Sequence, residues 1–356
     1  MYPLAIVGND CTADLTTLAC HAAGFADIQR YCPTNTYRQP MVPIPANATR
    51  LVSALCPVPL HEIGREPQRA QIRLGRSAYL VSELPLGEFY RGRYGAPILN
   101  CTEEDLREAL FPVVKRAAAI PAAATISPEI LNKIDDAHQL TLIASRLRHR
   151  QTQPNSTPTM SWYGVTTELR EPVNANITWL GANQRILQWS SRHQTHYLLI
   201  TPSNLPFESK HWHPELHEAI THRGDAHFFD PEQPRIREYY YDGHRVFLGH
   251  ACYQPHVVTP EHRWLGFEDA WVLARMLENY EEDSADAVRE YQRYRQARAR
   301  RADQAAKRAF VSFMTSGRAQ RLMNNIGTAL SSRFLPEIAM HKQDWFHQHD
   351  CIRGFR

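Results

Sequence analysis

Length, composition and charge describe an ordinary globular chain of 356 residues, of which 43% are hydrophobic and 22% are charged. The net charge of +3 is too small to indicate binding to nucleic acid or to an anionic membrane. No run approaches the roughly 20 apolar residues of a membrane span, and no signal peptide is apparent, so we expect a cytoplasmic protein. Seven scattered cysteines without a CxxC pair predict reduced thiols rather than disulfides or a zinc ribbon.

The chain opens with the pattern of a strand, a turn and a helix. Leu4–Val7 is an apolar run that ends at Gly8, and apolar residues at helical spacing then continue to Gly24. The residues at 26–33 follow as a second strand. This pattern predicts the β-α-β opening of an α/β domain.

The middle of the chain alternates between α/β elements and a β-rich stretch. Thr102 and the three acidic residues after it precede an amphipathic run, which predicts a capped helix. Leu140–Ile143 has the apolar character of a buried strand. The polar stretch 151–158 is typical of a boundary, and the β-like runs over 161–237 predict an inserted sheet.

The last third begins with a short strand and continues as helices. Val246–Leu248 is followed by a sharp break at Gly249, and a helix is predicted to begin within 265–270. A long arginine-rich helix is predicted over 285–311, and we expect it to be solvated because acidic residues offset its charge. The tail 337–356 has no assignment from its pattern.

Taken in this order, the elements resemble the class A FAD-dependent aromatic hydroxylases of the salicylate and ubiquinone-pathway type. The resemblance rests on the apolar run before Gly8, on the strand that leads into 144–147, and on Gly249 with Gly266 and the closing Asp269-Ala270. It extends from Leu4 to about Pro336.

The resemblance implies an α/β fold with a Rossmann-like FAD-binding-type domain, an inserted β-sheet substrate domain and C-terminal helices. It assigns 1–158 and 238–336 to the FAD-binding-type domain and 159–237 to the inserted domain. A C-terminal tail occupies 337–356.

The resemblance also identifies the positions at which the family contacts FAD. Its Gly-x-Gly-x-x-Gly turn brings the backbone close to the diphosphate at a helix N-terminus. Gly8, Asp10 and Ala13 stand at those glycine positions, and Gly249 with His250 stands where the family has a Gly-Asp that contacts the ribityl chain. The side chains at 10 and 13 crowd the diphosphate, and the Asp10 carboxylate repels it. We therefore expect no cofactor, with FAD as the cofactor only in the alternative hypothesis below.

The sequence does not decide which residues are catalytic and offers two candidates, Arg146 and His250. Arg146 stands in place of a family aspartate, where it could bind an anion in the cofactor channel or belong to a solvated basic turn. His250 could act as an acid or base, or could be an ordinary loop histidine. A family arginine near the flavin corresponds here to Asn100 or Cys101.

Aromatic residues and histidines are concentrated in the predicted inserted sheet. The aromatic residues that either line a substrate pocket or form sheet core are Trp162, Tyr163, Trp179, Trp189 and Tyr197. The histidines of 211–227 include an HxH, but a proline interrupts the geometry and we predict no metal site.

Three functional hypotheses remain. The main one is a homologue that does not bind FAD in the usual way and acts as a ligand-binding or accessory protein in aromatic, quinone or pigment metabolism. Its partners would be a small aromatic ligand and a related hydroxylase subunit, and no nucleic acid. The alternative is an active FAD-dependent monooxygenase of an aromatic or polyketide-like substrate, with atypical flavin contacts. A third is a cofactor-free enzyme that uses His250 or Arg146.

Overall fold

The computed structural model describes residues 2–36, 41–147, 160–168, 173–202, 209–221, 227–229, 236–253, 256, 258–280, 283–315 and 336–354. Its strands are β1 (Leu4–Val7), β2 (Ile28–Tyr31), β3 (Arg69–Leu74), β4 (Leu80–Pro85), β5 (Leu140–Ile143), β6 (Met160–Glu168), β7 (Ala175–Leu180), β8 (Arg185–Ser190), β9 (Gln194–Pro202), β10 (His227–Phe229), β11 (Tyr241–Asp242) and β12 (Arg245–Phe247). Its helices are α1 (Cys11–Ala22), α2 (Ala46–Leu55), α3 (Leu60–Ile63), α4 (Glu88–Tyr94), α5 (Glu103–Ala117), α6 (Pro128–Ala137), α7 (Pro214–Thr221), α8 (Leu265–Asn279), α9 (Ser284–Thr315), α10 (Pro336–His341), α11 (Asp344–His347) and α12 (Cys351–Gly354).

A five-stranded sheet in the order β11-β12-β5-β1-β2 forms the first layer of the fold. β1 pairs in parallel with β2 and β5, and β5 pairs in parallel with β12. Every residue of β1 and β5 is buried, as expected for parallel strands that are covered by helices on both faces. The arrangement confirms the predicted α/β fold and places the carboxyl ends of β1, β5 and β12 at one edge.

A seven-stranded mixed sheet in the order β10-β6-β9-β8-β7-β3-β4 forms the second layer. Its strands pair antiparallel except for β3 and β7, which pair in parallel. Helix α7 packs Leu216 and Ile220 against Trp179 and Ile186 of this sheet. β3 and β4 join the sheet from a part of the chain before the predicted insertion. The predicted domain boundaries stay a prediction, and the boundary stretch 151–158 lies outside the described residues.

Helices α1 and α8 approach closely where two glycines face Thr12. Gly249 has a φ of +54°, and a Cβ added to it would lie 3.0 Å from Thr12 Cγ2. A Cβ added to Gly266 would lie 2.9 Å from the Thr12 side chain and 3.2 Å from Gly249 Cα. These glycines are therefore required by backbone conformation and by packing between elements.

Replacing Gly249 by alanine is expected to lower the free energy of unfolding by about 3 kcal/mol, since it combines a left-handed conformation with crowding against Thr12. Gly243→Ala is the matched control, because Gly243 has a φ of +58° and nothing within 4 Å of its added Cβ. The control should cost only about 1 kcal/mol. Urea denaturation of both variants measures the difference, and equal costs would contradict the packing explanation.

The arginine-rich helix α9 is partly buried, which corrects the expectation of a solvated helix. Arg295 is 1% exposed and lies against Asp269, while Arg298 donates to Glu268. Arg298 also donates to the carbonyl oxygens of Trp345 and Phe346, so it fixes the C-terminal residues that the sequence pattern left unassigned. In the described part of the chain no helix is long and apolar enough to cross a membrane.

Candidate active-site cavity

A cavity of about 1060 Å³ lies between the parallel sheet and one part of the seven-stranded sheet. Its walls come from the loop after β1, from α5, from β6, β8 and β9, and from the loops that carry His250 and Arg263. In open α/β sheets, ligands bind at the carboxyl ends of the strands, and this cavity begins there. Its volume reaches the upper end of the usual range for small-molecule sites.

The N-terminus of α1 is capped by the chain itself. Asp10 Oδ1 accepts a hydrogen bond from the backbone N–H of Ala13 at 3.0 Å. Asp10 Oδ2 accepts a second hydrogen bond from Ser145 Oγ at 2.9 Å, and Ser145 Oγ in turn accepts from the N–H of Asn9 at 3.0 Å. The carboxylate thus joins the ends of β1 and β5 and uses a helix donor that a bound anion would need.

Two arginines that the sequence patterns did not single out neutralise Asp14 beside this cap. Arg30 Nη2 lies 3.0 Å from Asp14 Oδ1, and Arg107 Nε lies 3.2 Å from Asp14 Oδ2. Arg30 is buried and also donates to the carbonyl oxygens of Gly8 and Tyr31. Asp14 therefore faces these arginines, and it does not act as a second free carboxylate at the cavity.

Packing explains the two glycines among the candidate cofactor positions, Gly8 and Gly249. A Cβ added to Gly8 would lie 2.7 Å from Ser145 Oγ and 2.9 Å from Ala13 Cβ. The first strand, the first helix and the end of β5 can approach this closely only with glycine at position 8. Gly249 donates its N–H to Asp269 Oδ2 at 2.9 Å, a bond internal to the fold.

His250 lies in the wall of the cavity, as its position after β12 suggested. Its Nδ1 is 3.9 Å from Asp10 Oδ2, and its Nε2 is buried with no hydrogen-bond partner among the residues that the structure describes. Burial, together with nearby Arg263, lowers the pKa of His250 well below its ordinary value, so the imidazole is neutral. A neutral histidine can donate from one ring nitrogen and accept at the other.

The remaining candidate positions separate into those inside and those outside the cavity. Arg146 is not among the described residues that line it, whereas Arg107 of α5 is.

Thr102 caps α5 in the predicted way and forms a capping box with Asp105. Arg107 is one turn into α5, and it supplies a basic group near the place where the resemblance had suggested none. The apolar periodicity of α5 predicts Leu106, Leu110 and Val114 as its buried face and gives no signal for Arg107.

The sheet wall of the cavity presents the side chain of one predicted aromatic residue, Trp189, whereas the Tyr197 side chain packs on the opposite face of the sheet. Trp189 stacks on His196 with ring centroids 5.4 Å apart, and burial lowers the pKa of His196 to about 4. Trp179 belongs to the core on the other face of the sheet, and Tyr163 is exposed. The side chain of Trp162 lies outside the described residues.

Acidic groups predominate in the lining. Five carboxylates and two guanidinium groups line the cavity, and the guanidinium groups belong to Arg107 and Arg263. Arg263 lies 3.6 Å from Glu103, whose pKa is raised by burial in spite of that arginine. Among the described residues no group of three or more His, Cys, Asp or Glu could hold a metal ion, and all seven cysteines are free thiols.

No protein-family model matches the sequence, and no curated protein matches it. Solved structures do match, over nearly the whole chain. HpxO of Klebsiella pneumoniae in complex with FAD is 15% identical, with 96% of this chain and 97% of that chain covered and a TM-score of 0.74. The chain has the fold of the class A FAD-dependent aromatic hydroxylases.

Two further structures show the same likeness. PqsL of Pseudomonas aeruginosa in complex with 2-aminobenzoylacetate is 14% identical, with 92% of this chain and 100% of that chain covered and a TM-score of 0.66. Salicylate hydroxylase in a substrate complex is 14% identical, with 99% of this chain and 96% of that chain covered and a TM-score of 0.65. The family resemblance drawn from sequence is thereby confirmed at the level of the fold.

These structures overturn the expectation of no cofactor. HpxO and CtdE, which have this fold, were each crystallised with FAD, so the fold is an FAD-binding one and the prediction was wrong. The chain has a cavity at the strand ends even though Asp10 and Ala13 stand where the resemblance expects glycines.

The cavity fits the two parts of FAD differently. Its volume, and the stacked rings of Trp189 and His196 in its sheet wall, fit a flavin ring beside a small aromatic molecule. The N-terminus of α1 does not fit the diphosphate in the usual way, because Asp10 already occupies the N–H of Ala13 and carries negative charge. Arg107, which lines the cavity with its Nη2 3.0 Å from Asn9 Oδ1, is a basic side chain that would hold the diphosphate.

Proposed function

We propose that this chain is an FAD-dependent monooxygenase that acts on a small aromatic substrate and holds its flavin by contacts that differ from the family pattern. The observation that carries the proposal is the cavity of about 1060 Å³ at the carboxyl ends of the parallel strands, closed by the face of the second sheet that carries Trp189 and His196. The accessory-protein and cofactor-free hypotheses have no comparable support.

The substrate class follows from the wall of the cavity and from the neighbours of this fold. HpxO has been crystallised with FAD and uric acid, and PqsL with 2-aminobenzoylacetate. In the present chain, Trp189 and His196 provide a flat apolar surface on which an aromatic ring can pack. The predicted cytoplasmic location is compatible with such an enzyme and stays a prediction, as does a related hydroxylase subunit as partner.

The residues of this chain have distinct tasks in such an enzyme. FAD, when bound, supplies the redox chemistry. The seven-stranded sheet covers the reacting groups and excludes water, and Arg107 offers a positive charge to an anionic part of the cofactor. Neutral His250 offers one ring nitrogen, Nε2, for which the described residues provide no hydrogen-bond partner.

The proposal is tested first by flavin binding and then by turnover. The purified protein, incubated with FAD and dialysed, is expected to keep the visible absorption of a bound flavin. It should then oxidise NADH or NADPH faster when salicylate, urate or 2-aminobenzoylacetate is added, with a product that is heavier by one oxygen atom. A protein that retains no flavin and shows no oxygenated product with this set would refute the proposal.

Filling the cavity tests whether the aromatic compound binds there. Gly164 lines the cavity from β6, so Gly164→Phe is expected to abolish the stimulation by aromatic compounds while leaving the protein folded. Gly92→Phe is the control, because a Cβ at Gly92 meets nothing within 4 Å on the surface of α4. If aromatic compounds stimulate NADH or NADPH oxidation by Gly164→Phe as strongly as by Gly92→Phe, the substrate does not bind in this cavity.

A further inference from the structure

One carboxylate connects the ends of three parallel strands at the head of the cavity. Asp10, directly after β1, accepts hydrogen bonds from the N–H of Ala13 and from Ser145 after β5, and it lies 3.9 Å from His250 after β12. No other carboxylate of the described cavity lining caps α1, and Asp14 is turned toward Arg30 and Arg107.

An anion is the group that this place in an α/β fold normally attracts. Unpaired N–H groups and the positive end of the helix dipole favour phosphate at a helix N-terminus that follows a parallel strand. Here the anion is part of the chain, because the carboxylate of Asp10 makes the hydrogen bond to the helix that a ligand phosphate would make.

We propose that Asp10 is a built-in anion that takes the place of a ligand diphosphate at the N-terminus of α1, and that it makes the cavity bind FAD less tightly than the same cavity would without this carboxylate, while leaving the affinity for flavins without a phosphate unchanged. The proposal rests on the flavin binding proposed above. It identifies Asp10 as a specificity-determining residue and assigns it no part in the chemistry.

The surroundings of Asp10 retain what a diphosphate would need once the carboxylate is gone. Arg107 lies in the cavity wall, with Nη2 3.0 Å from Asn9 Oδ1 beside the cap. Ser145 Oγ and the N–H of Ala13 would both lose their acceptor. Removing one side chain therefore removes a negative charge and releases two hydrogen-bond donors at the same point.

Binding of three ligands to the full chain tests the proposal. FAD, riboflavin and ADP are titrated into the wild type, Asp10→Gly and Asp10→Asn by fluorescence for the flavins and by calorimetry for ADP. Asp10→Gly is expected to tighten FAD and ADP by on the order of tenfold to a hundredfold, because one like-charge contact is removed. Riboflavin, which has no phosphate, should bind as before.

Asp10→Asn separates charge from geometry. Asparagine is as good a helix cap as aspartate, so this variant keeps the fold and the bond to Ala13 while removing the charge. It should tighten FAD and ADP by less than Asp10→Gly does. It also keeps the test informative if glycine at this position destabilises α1.

Glu168→Gln is the matched control for overall charge. Glu168 lines the same cavity from the end of β6 and is exposed, away from the cap of α1. Its replacement removes the same charge from the cavity but should leave the affinities for FAD and ADP unchanged. An equal gain from this variant would mean that general repulsion, and not the position of Asp10, sets the preference.

The outcomes separate this proposal from the proposed function. If the wild type binds FAD and neither Asp10 variant tightens FAD or ADP, the role of Asp10 is refuted and the monooxygenase proposal stands. If no variant binds a flavin but Asp10→Gly gains ADP binding, the role of Asp10 stands and the monooxygenase proposal fails. If riboflavin tightens as much as FAD, the variant has merely opened the cavity and the proposal is overturned.

Discussion

Replacing Arg295 by methionine is expected to lower the free energy of unfolding by about 3–5 kcal/mol, the usual cost of removing one partner from a buried ion pair. Arg295 Nε lies 2.6 Å from Asp269 Oδ1, and Nη1 lies 2.8 Å from Glu268 Oε2, with both carboxylates fully buried. Glu268 keeps Arg298 in the variant, whereas Asp269 keeps the N–H of Gly249 but loses the guanidinium group of Arg295. A buried carboxylate without a cation is the source of the loss.

Guanidinium chloride unfolding followed by circular dichroism measures this effect. Arg293→Met is the control, since the Arg293 side chain is 80% exposed and its pairing with Glu290 should contribute less than about 1 kcal/mol. Adding Asp269→Asn to Arg295→Met should recover part of the stability, because it removes the uncompensated charge. A loss no larger than that of the control would mean that water or neighbouring groups already compensate Asp269.

Much of the fold could be predicted from the sequence because its elements have strong local patterns. β1 and β5 are continuous apolar runs, α5 begins with a capping box, and α8 begins where its apolar spacing begins. The turn at Gly243 likewise has the positive φ that its Asp-Gly sequence predicts. These features depend on neighbours in sequence, so a single sequence contains the necessary information.

The candidate site was predicted less well because its key contacts join residues far apart in sequence. Arg30 reaches Asp14 and the end of β1 from a neighbouring strand, and Arg107 reaches the same carboxylate from α5. Arg295 belongs to a helix whose charged composition resembles that of a solvated one. Nothing in the local pattern of an arginine shows whether it faces solvent or a buried carboxylate.

The retained family positions turn out to have tasks in packing. Gly8 permits the approach of Ser145, and Gly249 permits the approach of Thr12 and donates to Asp269. Asp269 in turn holds Arg295. The strand and helix within 245–270 are therefore held in place by a series of contacts within the chain.

Acidification from about pH 7 to pH 5 is expected to lower the free energy of unfolding by roughly 2 kcal/mol for each buried histidine whose pKa is lowered in the folded chain. Burial lowers the pKa of His262 to about 3 and the pKa values of His347 and His196 to about 4, from an ordinary value of 6.5. Between these values the unfolded chain binds protons that the folded chain does not, so stability falls as the pH falls. The loss begins near pH 6.5 and is complete only below the folded pKa values.

His347 provides the variant that tests this origin of acid sensitivity. Its Nδ1 lies 2.8 Å from the hydroxyl of Tyr90 and its Nε2 lies 3.1 Å from Gln343, contacts that a glutamine amide can partly replace. The slope of the unfolding free energy against pH gives the number of protons taken up on unfolding, and His347→Gln should reduce that number by close to one between about pH 6 and pH 4.5. His61→Gln is the control and should leave the slope unchanged, because the His61 side chain is 81% exposed. The carboxylate of Glu268, whose pKa is held far below its ordinary value by Arg298 and Arg295 despite burial, loses its contribution only at lower pH. The prediction is contradicted if the free energy of unfolding does not change between pH 7 and pH 5, or if its slope against pH is the same in His347→Gln as in the wild type. Either result would show that the C-terminal segment opens before its histidines are protonated.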